Sequence, residues 1–593
     1  MKIGSISVLL AGVMACGSTA SPGNGSSGGA TGSGGASVAS GGNGSGGSAA
    51  TGSGGSLAAS GGSGSGGSTA SGGGVGSGGS VVGGATASGG VVGSGGAAVG
   101  GNAGGKGMAG ATGTGGTPPT GGTTVSAFSV VTNRYDNARS GSNMSETMLT
   151  TSNVNAAKFG LLFSRTINGY VYGQPLYVGG LTIAGAKHNV VYVATEHNVV
   201  YAFDADAPTP DAPLWSKTLG TPLTLGGGGY DPGCTDMQQK EVGITSTPVI
   251  SLADNKIYVV SKTSTDQQLH ALDLATGDEA APSPVSIGKT AMTAFDPQIH
   301  LNRLSLLLVN GVIYIGFGSH CDAGSYRGWF YGYDAKTLTL KTVYNSTPSG
   351  SKGALWQSGM GPASDGTDIW MTVGNGSTGG DNMGNNVVRL TPAGSGMTIT
   401  AHYQSNVSGD NDLQSGAVLL GTSGQVVGGG KDGAILLLGQ SDLSLKQQVQ
   451  VGGEVNSFVY WNGSGGPTLF AWTVGGSLRN YAVGSGSLTL KSQNTEKKPG
   501  HPSAIFTVSS NGTMAGTGIV WANVPQGDAW HMAVPGALYA FDAADVSKPS
   551  LWNSTLNAAD NLGTYAKYST PIVANGKVYL ATFSNKLQVY GLK

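Results

Sequence analysis

From about residue 174 to its end the chain is a succession of short runs in which apolar and polar residues alternate, each bounded by Asn, Gly, Asp or Ser. Alternation with a period of two is the signature of a half-buried strand. The last stretch, YSTPIVANGKVYLATFSNKLQVYGL at 568–592, shows it most plainly. It predicts strands at 570–573, 577–581 and 587–590, with Asn575-Gly576 as the turn between the first two. Asn-Gly between β-branched runs is a strong hairpin signal because both turn residues must tolerate positive φ. A meander this small cannot bury its own apolar face and needs copies beside it.

The chain supplies those copies. The strand–turn–strand–strand pattern recurs at 174–205, 246–273, 304–334, 356–390, 417–438, 457–483, 505–542 and 570–590. The spacing is about 40–60 residues, as expected for four-stranded blades arranged around an axis. A fourth strand is readable at 213–219, around Trp215, and at 550–553, around Trp552. The last unit has no fourth strand of its own, whereas KFGLLFSRTI at 158–167 has no blade in front of it. Pairing these two closes the ring and removes two exposed sheet edges. No sustained helical periodicity interrupts the pattern. The fold expected is all-β: an eight-bladed β-propeller of four-stranded antiparallel blades, closed by an N-terminal strand and built from residues 125–593.

Composition matters only once the chain is divided. Of its 593 residues 108 are glycine and only 10% are charged. Most of that bias lies in 17–124, a GSGGA/S register whose single charged residue is Lys106. Such a segment has no side chains with which to build a core, so it is expected to be a disordered tether with an r.m.s. span of roughly 55–60 Å. Ahead of it, Lys2 followed by a short apolar run ending in Val13-Met14-Ala15-Cys16-Gly17 resembles a bacterial lipoprotein signal. That resemblance implies a lipid on Cys16, attachment to a membrane and, with Gly rather than Asp at 17, the outer membrane. There is no run of 18 or more apolar residues, hence no membrane-spanning helix. The net charge of −1 offers no electrostatic footprint for nucleic acid. A monomeric ring is expected.

The repeats resemble the quinoprotein family of eight-bladed propellers, whose units carry A-x-D-x-x-T-G-x-x-x-W. Ala271-Leu272-Asp273-Leu274-Ala275-Thr276-Gly277 keeps the front of that motif. Ala202-Phe203-Asp204-Ala205 with Trp215, and Ala540-Phe541-Asp542-Ala543 with Trp552, keep the aspartate and the tryptophan. The segment from Arg139 through Asn153-Val154 to Phe163 is similar to the family's N-terminal lead-in. Both motif residues have structural duties: the aspartate can accept from turn amides and the tryptophan can pack between blades. The resemblance implies one of two activities. One branch binds pyrroloquinoline quinone (PQQ) and calcium on the ring axis and oxidises alcohols or sugars. The other is non-catalytic and scaffolds or binds at the cell envelope. This chain has neither the adjacent cysteine pair nor the Cys-x-x-Cys-His of the first branch. Binding or scaffolding of a protein or polysaccharide is the expected function, with a PQQ- and calcium-dependent oxidoreductase as the alternative.

In such a ring the loops joining second to third strands share one face with those joining one blade to the next. That face should carry Asp231, Cys234 and Glu241 in the loop 220–243, and His320, Cys321 and Asp322 in the loop 318–328. A Cys234–Cys321 disulfide is therefore expected, a metal-binding pair with His320 being the competing reading. Asp381, Asp410, Asp412, Asp528 and His531 should lie on the same rim. They suit calcium or a polar ligand, and equally the turns that contain them. Trp356, expected at the head of the fourth unit's inner strand, would line the channel as a plug or as a stacking platform. No phosphate-binding loop, zinc spacing, nucleophile elbow or catalytic triad is visible.

Overall fold

The computed structural model describes residues 128–226, 229–288 and 295–593. The export segment with Cys16, and the tether, lie outside the described residues.

Eight antiparallel blades follow one another as the repeats predict, the third and fourth joined in one eight-stranded sheet. The first blade runs Leu176–Ile183, Ala186–Ala194, Val199–Asp204 and Trp215–Thr218 from inside to outside. The third and fourth blades also touch at their rims, where Val343 pairs with Gly396 in parallel. Between blades lie the apolar clusters. In one, Trp215 of the first blade packs beside Ile250, Ile257 and Val259 of the second and donates its indole N–H to Leu274 O at 2.9 Å. The motif aspartates serve their turns: Asp273 Oδ1 accepts from Ala275 N at 2.9 Å and Asp542 Oδ1 from Ala544 N at 3.0 Å.

The ring closes as expected. Phe159–Thr166 pairs antiparallel with Lys586–Leu592, from Phe159 opposite Leu592 to Thr166 opposite Lys586, and so becomes the outer strand of the last blade. Phe159 is fully buried, with its ring 5.2 Å from Trp521 and 4.9 Å from Trp552 of the preceding blade. The Asn575-Gly576 turn is present, and Glu146 Oε2 accepts from Gly576 N at 3.0 Å.

One feature of the ring corrects the reading of Trp356. The channel is filled by the chain itself, along 129–146, before the blades begin. Each inner strand presents an edge of peptide groups to the axis, and buried peptide groups must find partners. The segment supplies them blade by blade. Ser129 pairs with Val178 of the first blade, and Val131 O accepts from Ile250 N of the second at 2.8 Å. Asn137 Nδ2 donates to Leu308 O of the third at 3.1 Å, and Asn137 O accepts from Ser364 N of the fourth at 2.7 Å. Ala138, Ser140 and Gly141 accept from Leu419, Tyr460 and Val508 of the next three blades. Asn143 Nδ2 reaches Val573 O of the eighth at 2.9 Å.

Turning inside so narrow a ring needs unusual backbone. Arg134, Tyr135 and Arg139 all have φ between 61° and 71°, and Gly141 has φ of 74°. A Cβ at Gly141 would come within 2.9 Å of Val459 Cγ2, so no other residue fits there. Both arginines are fully buried and spend their charge on main-chain oxygens. Arg139 donates to Pro362 O at 2.9 Å, Asn133 O at 2.8 Å and Leu306 O at 3.2 Å. Burial pulls the Arg134 guanidinium down to about 9 and that of Arg139 to about 10, so both stay charged at neutral pH. Trp356, by contrast, precedes a single 3-10 turn, Gln357–Gly359, and the fourth inner strand is Ala363–Ser364. Trp356 heads no strand and plugs nothing.

Two substitutions test this account. Arg139→Ala leaves several buried carbonyls without donors and is expected to cost about 3 kcal/mol or more in denaturant unfolding, with Arg139→Lys intermediate. Phe159→Ala opens a cavity at the closure seam and should cost about 3–5 kcal/mol. An unchanged midpoint for either variant would contradict the role assigned to that residue.

Candidate functional site

The loops between second and third strands, and those between blades, lie together on the face opposite the Asn575-Gly576 turn. Above the plug they enclose a cavity of about 390 Å³. Its roof is the loop between the first two blades. A small hairpin of Leu223–Thr224 with Glu241–Val242 carries that loop outward. Its tip is tied down on two sides. Cys234 is joined to Cys321 of the third blade by a disulfide. Gln238 Nε2 donates to Ala529 O at 3.0 Å and Met532 O at 2.8 Å in the seventh blade. The loop thus straps the face from one side of the ring to the other.

Aromatic residues make much of the wall. Trp356 lies against Gly374, where a Cβ would be 2.8 Å from its Cδ1 and 2.7 Å from Asp412 Oδ1. Trp530 stacks on His501 with centroids 3.7 Å apart. Tyr568 carries the Arg303 guanidinium 4.1 Å above its ring, and the same group lies 5.8 Å from the Trp356 ring.

Most of the charges in this wall are spent on one another. Lys431 Nζ lies 2.7 Å from Asp412 Oδ2 and 3.0 Å from Asp410 Oδ1. Burial works against the Lys431 ammonium, but the two carboxylates outweigh it and hold its pKa above the usual value. Burial raises the nearly enclosed Asp412 carboxyl, and Lys431 opposes that rise. His501 Nε2 faces Glu454 Oε2 at 3.2 Å, and Gln414 donates to the same oxygen at 3.1 Å. Burial lowers the His501 imidazole although Glu454 counteracts it. Asp322 takes hydrogen bonds from Tyr326 and Asn375 and lies 3.3 Å from Lys352 Nζ.

The structure brings Cys234, Cys321, Asp322 and Trp356 into this cavity, and Asp410, Asp412 and His531 with them. The other expected rim residues are elsewhere. Asp231 caps its own turn, accepting from Gly233 N, and Glu241 pairs with His197 at 3.0 Å. Asp381 is exposed and bonds Ser349, while Asp528 accepts from Trp530 N at 2.9 Å. His320 is fully buried beneath the strap, where its Nε2 lies 2.9 Å from Lys262 Nζ. Around it, burial pushes Glu196 up to about 8 and Lys262 down to about 7. That cluster braces the strap: Glu196 Oε2 accepts from Gly243 N at 2.8 Å. Among the described residues the one group spaced for a metal is Cys234, Asp236 and Cys321, and a disulfide offers no thiolate.

Sequence reasoning missed Arg303, Lys431, His501, Trp530, Lys567 and Tyr568. Lys567-Tyr568 stands immediately before the last inner strand, and Arg303 and His501 stand in the same place before theirs. That position, just ahead of an inner strand, was the available signal.

No family model and no curated protein matches the chain. Solved structures do. A quinohemoprotein alcohol dehydrogenase of Pseudomonas putida HK5 superposes with a TM-score of 0.53 at 14% identity, over 78% of this chain and 80% of that one. The quinohemoprotein alcohol dehydrogenase of Comamonas testosteroni gives 0.50 at 16% identity, over 78% and 80%. A europium-containing methanol dehydrogenase gives 0.51 at 14%, over 78% of this chain and 98% of that one. At such identities the likeness is one of fold: this chain is an eight-bladed β-propeller with the architecture of the quinoprotein dehydrogenases.

Proposed function

We propose that this protein is a binding propeller of the bacterial envelope, held to the outer membrane by a lipid on Cys16, and that its axial cavity takes a saccharide unit. The observation that carries the reading is the cavity wall. It combines the aromatic rings of Trp356 and Trp530 with hydrogen-bonding side chains such as Gln414, Asp236 and His531, in about 390 Å³. A volume of that size suits a small molecule. Rings such as these pack on the C–H faces of a sugar while the polar groups meet its hydroxyls.

The alternative, an oxidoreductase using PQQ and calcium, meets an obstacle in the donor set. Calcium takes six to eight oxygen ligands, among them carboxylates. Here Asp410 and Asp412 already face the Lys431 ammonium, and Asp322 is engaged by Tyr326, Asn375 and Lys352. The Arg303 guanidinium covers the face of Tyr568. These residues do not fit the pair, and no step is derived through it.

Calorimetry of the purified chain against mono- and disaccharides should detect binding. Trp530→Ala should weaken it by about 1–2 kcal/mol, five- to thirtyfold, with the fold unchanged by circular dichroism. Absence of saccharide binding, together with quinone absorbance and dye-linked dehydrogenase activity after incubation with PQQ and calcium, would instead establish the oxidoreductase. The anchor is tested separately. Wild-type protein expressed in a Gram-negative host should partition into detergent, and Cys16→Ser should move it to the aqueous phase; equal partitioning would rule the lipid out.

A further inference from the structure

Within the cavity wall two cations stand apart from the paired charges. Lys431 answers Asp410 and Asp412, His501 answers Glu454, and Lys352 answers Asp322. Arg303 and Lys567, among the described residues, form no ion pair. The Arg303 side chain meets the Tyr568 hydroxyl and the rings of Tyr568 and Trp356. Lys567 is buried, and its Nζ donates to the main-chain oxygens of Asp236 at 2.6 Å and Trp530 at 2.7 Å. Both line the same cavity, and the Arg303 charge acts on Lys567. Lys567 is thus a buried cation without an ion pair, which is costly and is relieved by an anion placed beside it.

We propose that Arg303 and Lys567 form an anion-recognition subsite in the axial cavity, which takes the carboxylate of an acidic saccharide, a uronate unit. The inference rests on the saccharide reading above and specifies the sugar. Arg303 presents a planar fork of donors suited to a carboxylate, and its own stacking on Tyr568 fixes the plane of that fork. A single negative charge suits the site better than a double one. The Asp236 carboxylate also lines the cavity, and Asp410 and Asp412 bring two further negative charges against the one on Lys431. The aromatic ring of Trp356 flanks the same corner, so the pyranose ring has a surface to lie on.

The lysine gives the site a pH signature. Burial is the main cause that brings Lys567 down to about 7, with Arg303 adding to it and Asp236 and Asp528 opposing. His501 also faces it, and its imidazole is itself lowered by burial. The ammonium is therefore present below about pH 7 and lost above. Anion binding should be strongest on the acid side and decline as pH rises.

The test is calorimetry on the full chain with four probes: digalacturonate, its neutral counterpart galactobiose, sodium acetate and inorganic phosphate. Digalacturonate is expected to bind more tightly than galactobiose. Arg303→Gln should reduce digalacturonate affinity roughly 30-fold and galactobiose affinity far less. In the wild type, digalacturonate affinity should fall by up to about tenfold per unit between pH 7 and pH 9. Lys567→Arg should keep the affinity and flatten that profile. The galactobiose control and circular dichroism separate loss of the subsite from loss of the fold. Equal affinity for the two saccharides, or an Arg303→Gln variant that loses both alike, overturns the subsite while leaving the saccharide reading intact. Acetate or phosphate bound as tightly as digalacturonate overturns the uronate assignment in favour of a free anion. Failure of both saccharides overturns the function proposed above along with it.

Discussion

A propeller of this width has an unsolved problem at its axis, and the peptide groups of 129–146 solve it. The inner edges of the blades converge on a channel in which unpaired N–H and C=O groups would be stranded. The segment from Ser129 to Asn143 reaches the innermost strand of every blade in turn, and Arg139 serves carbonyls from the third and fourth blades together. Because its hydrogen bonds reach every blade, the segment acts as a hub. The blades cannot separate without breaking its hydrogen bonds. Left-handed backbone at Arg134, Tyr135 and Arg139 is tolerated because the ring over-determines it.

The same hub sets the depth of the cavity. A filled channel gives the upper face a floor, so the loops above it enclose a shallow chamber rather than a pore. The roof depends on the strap, whose tip is fastened by the disulfide on one side and by Gln238 and Lys567 on the other. Charges in the chamber are arranged as a near-complete set of pairs. Among the described residues, Arg303 and Lys567 stand outside those pairs, as does the Asp236 carboxylate.

The blades were legible because a strand announces itself locally. Alternation, the Asn-Gly turn and the aspartate-tryptophan motif all act within a few residues of each other. Closure was legible by the same logic, since 158–167 read as an outer strand without a blade. The cysteine pairing followed from topology, because both residues sit in loops of the same face. Trp356 misled because a large aromatic before a predicted strand looks like that strand's first residue. The backbone instead turns at Gln357–Gly359, where Ser358 has φ of 48°. Asp231 and Asp528 sit in the expected loops yet spend their oxygens on their own turns, which is the ordinary fate of aspartate in a loop.

The sequence by itself determined the repeat, the number of blades, the face on which the loops gather and the strand that closes the ring. All of these follow from short-range periodicity and from the need to pair every strand. Only the tertiary structure decided what fills the axis and which side chains meet in the cavity. Arg303, Lys431, His501 and Lys567 come from different blades, separated by up to 264 residues, and no local pattern links them. Their neighbourhood arises from the curvature of a closed ring, which brings the loops of one face together from distant repeats.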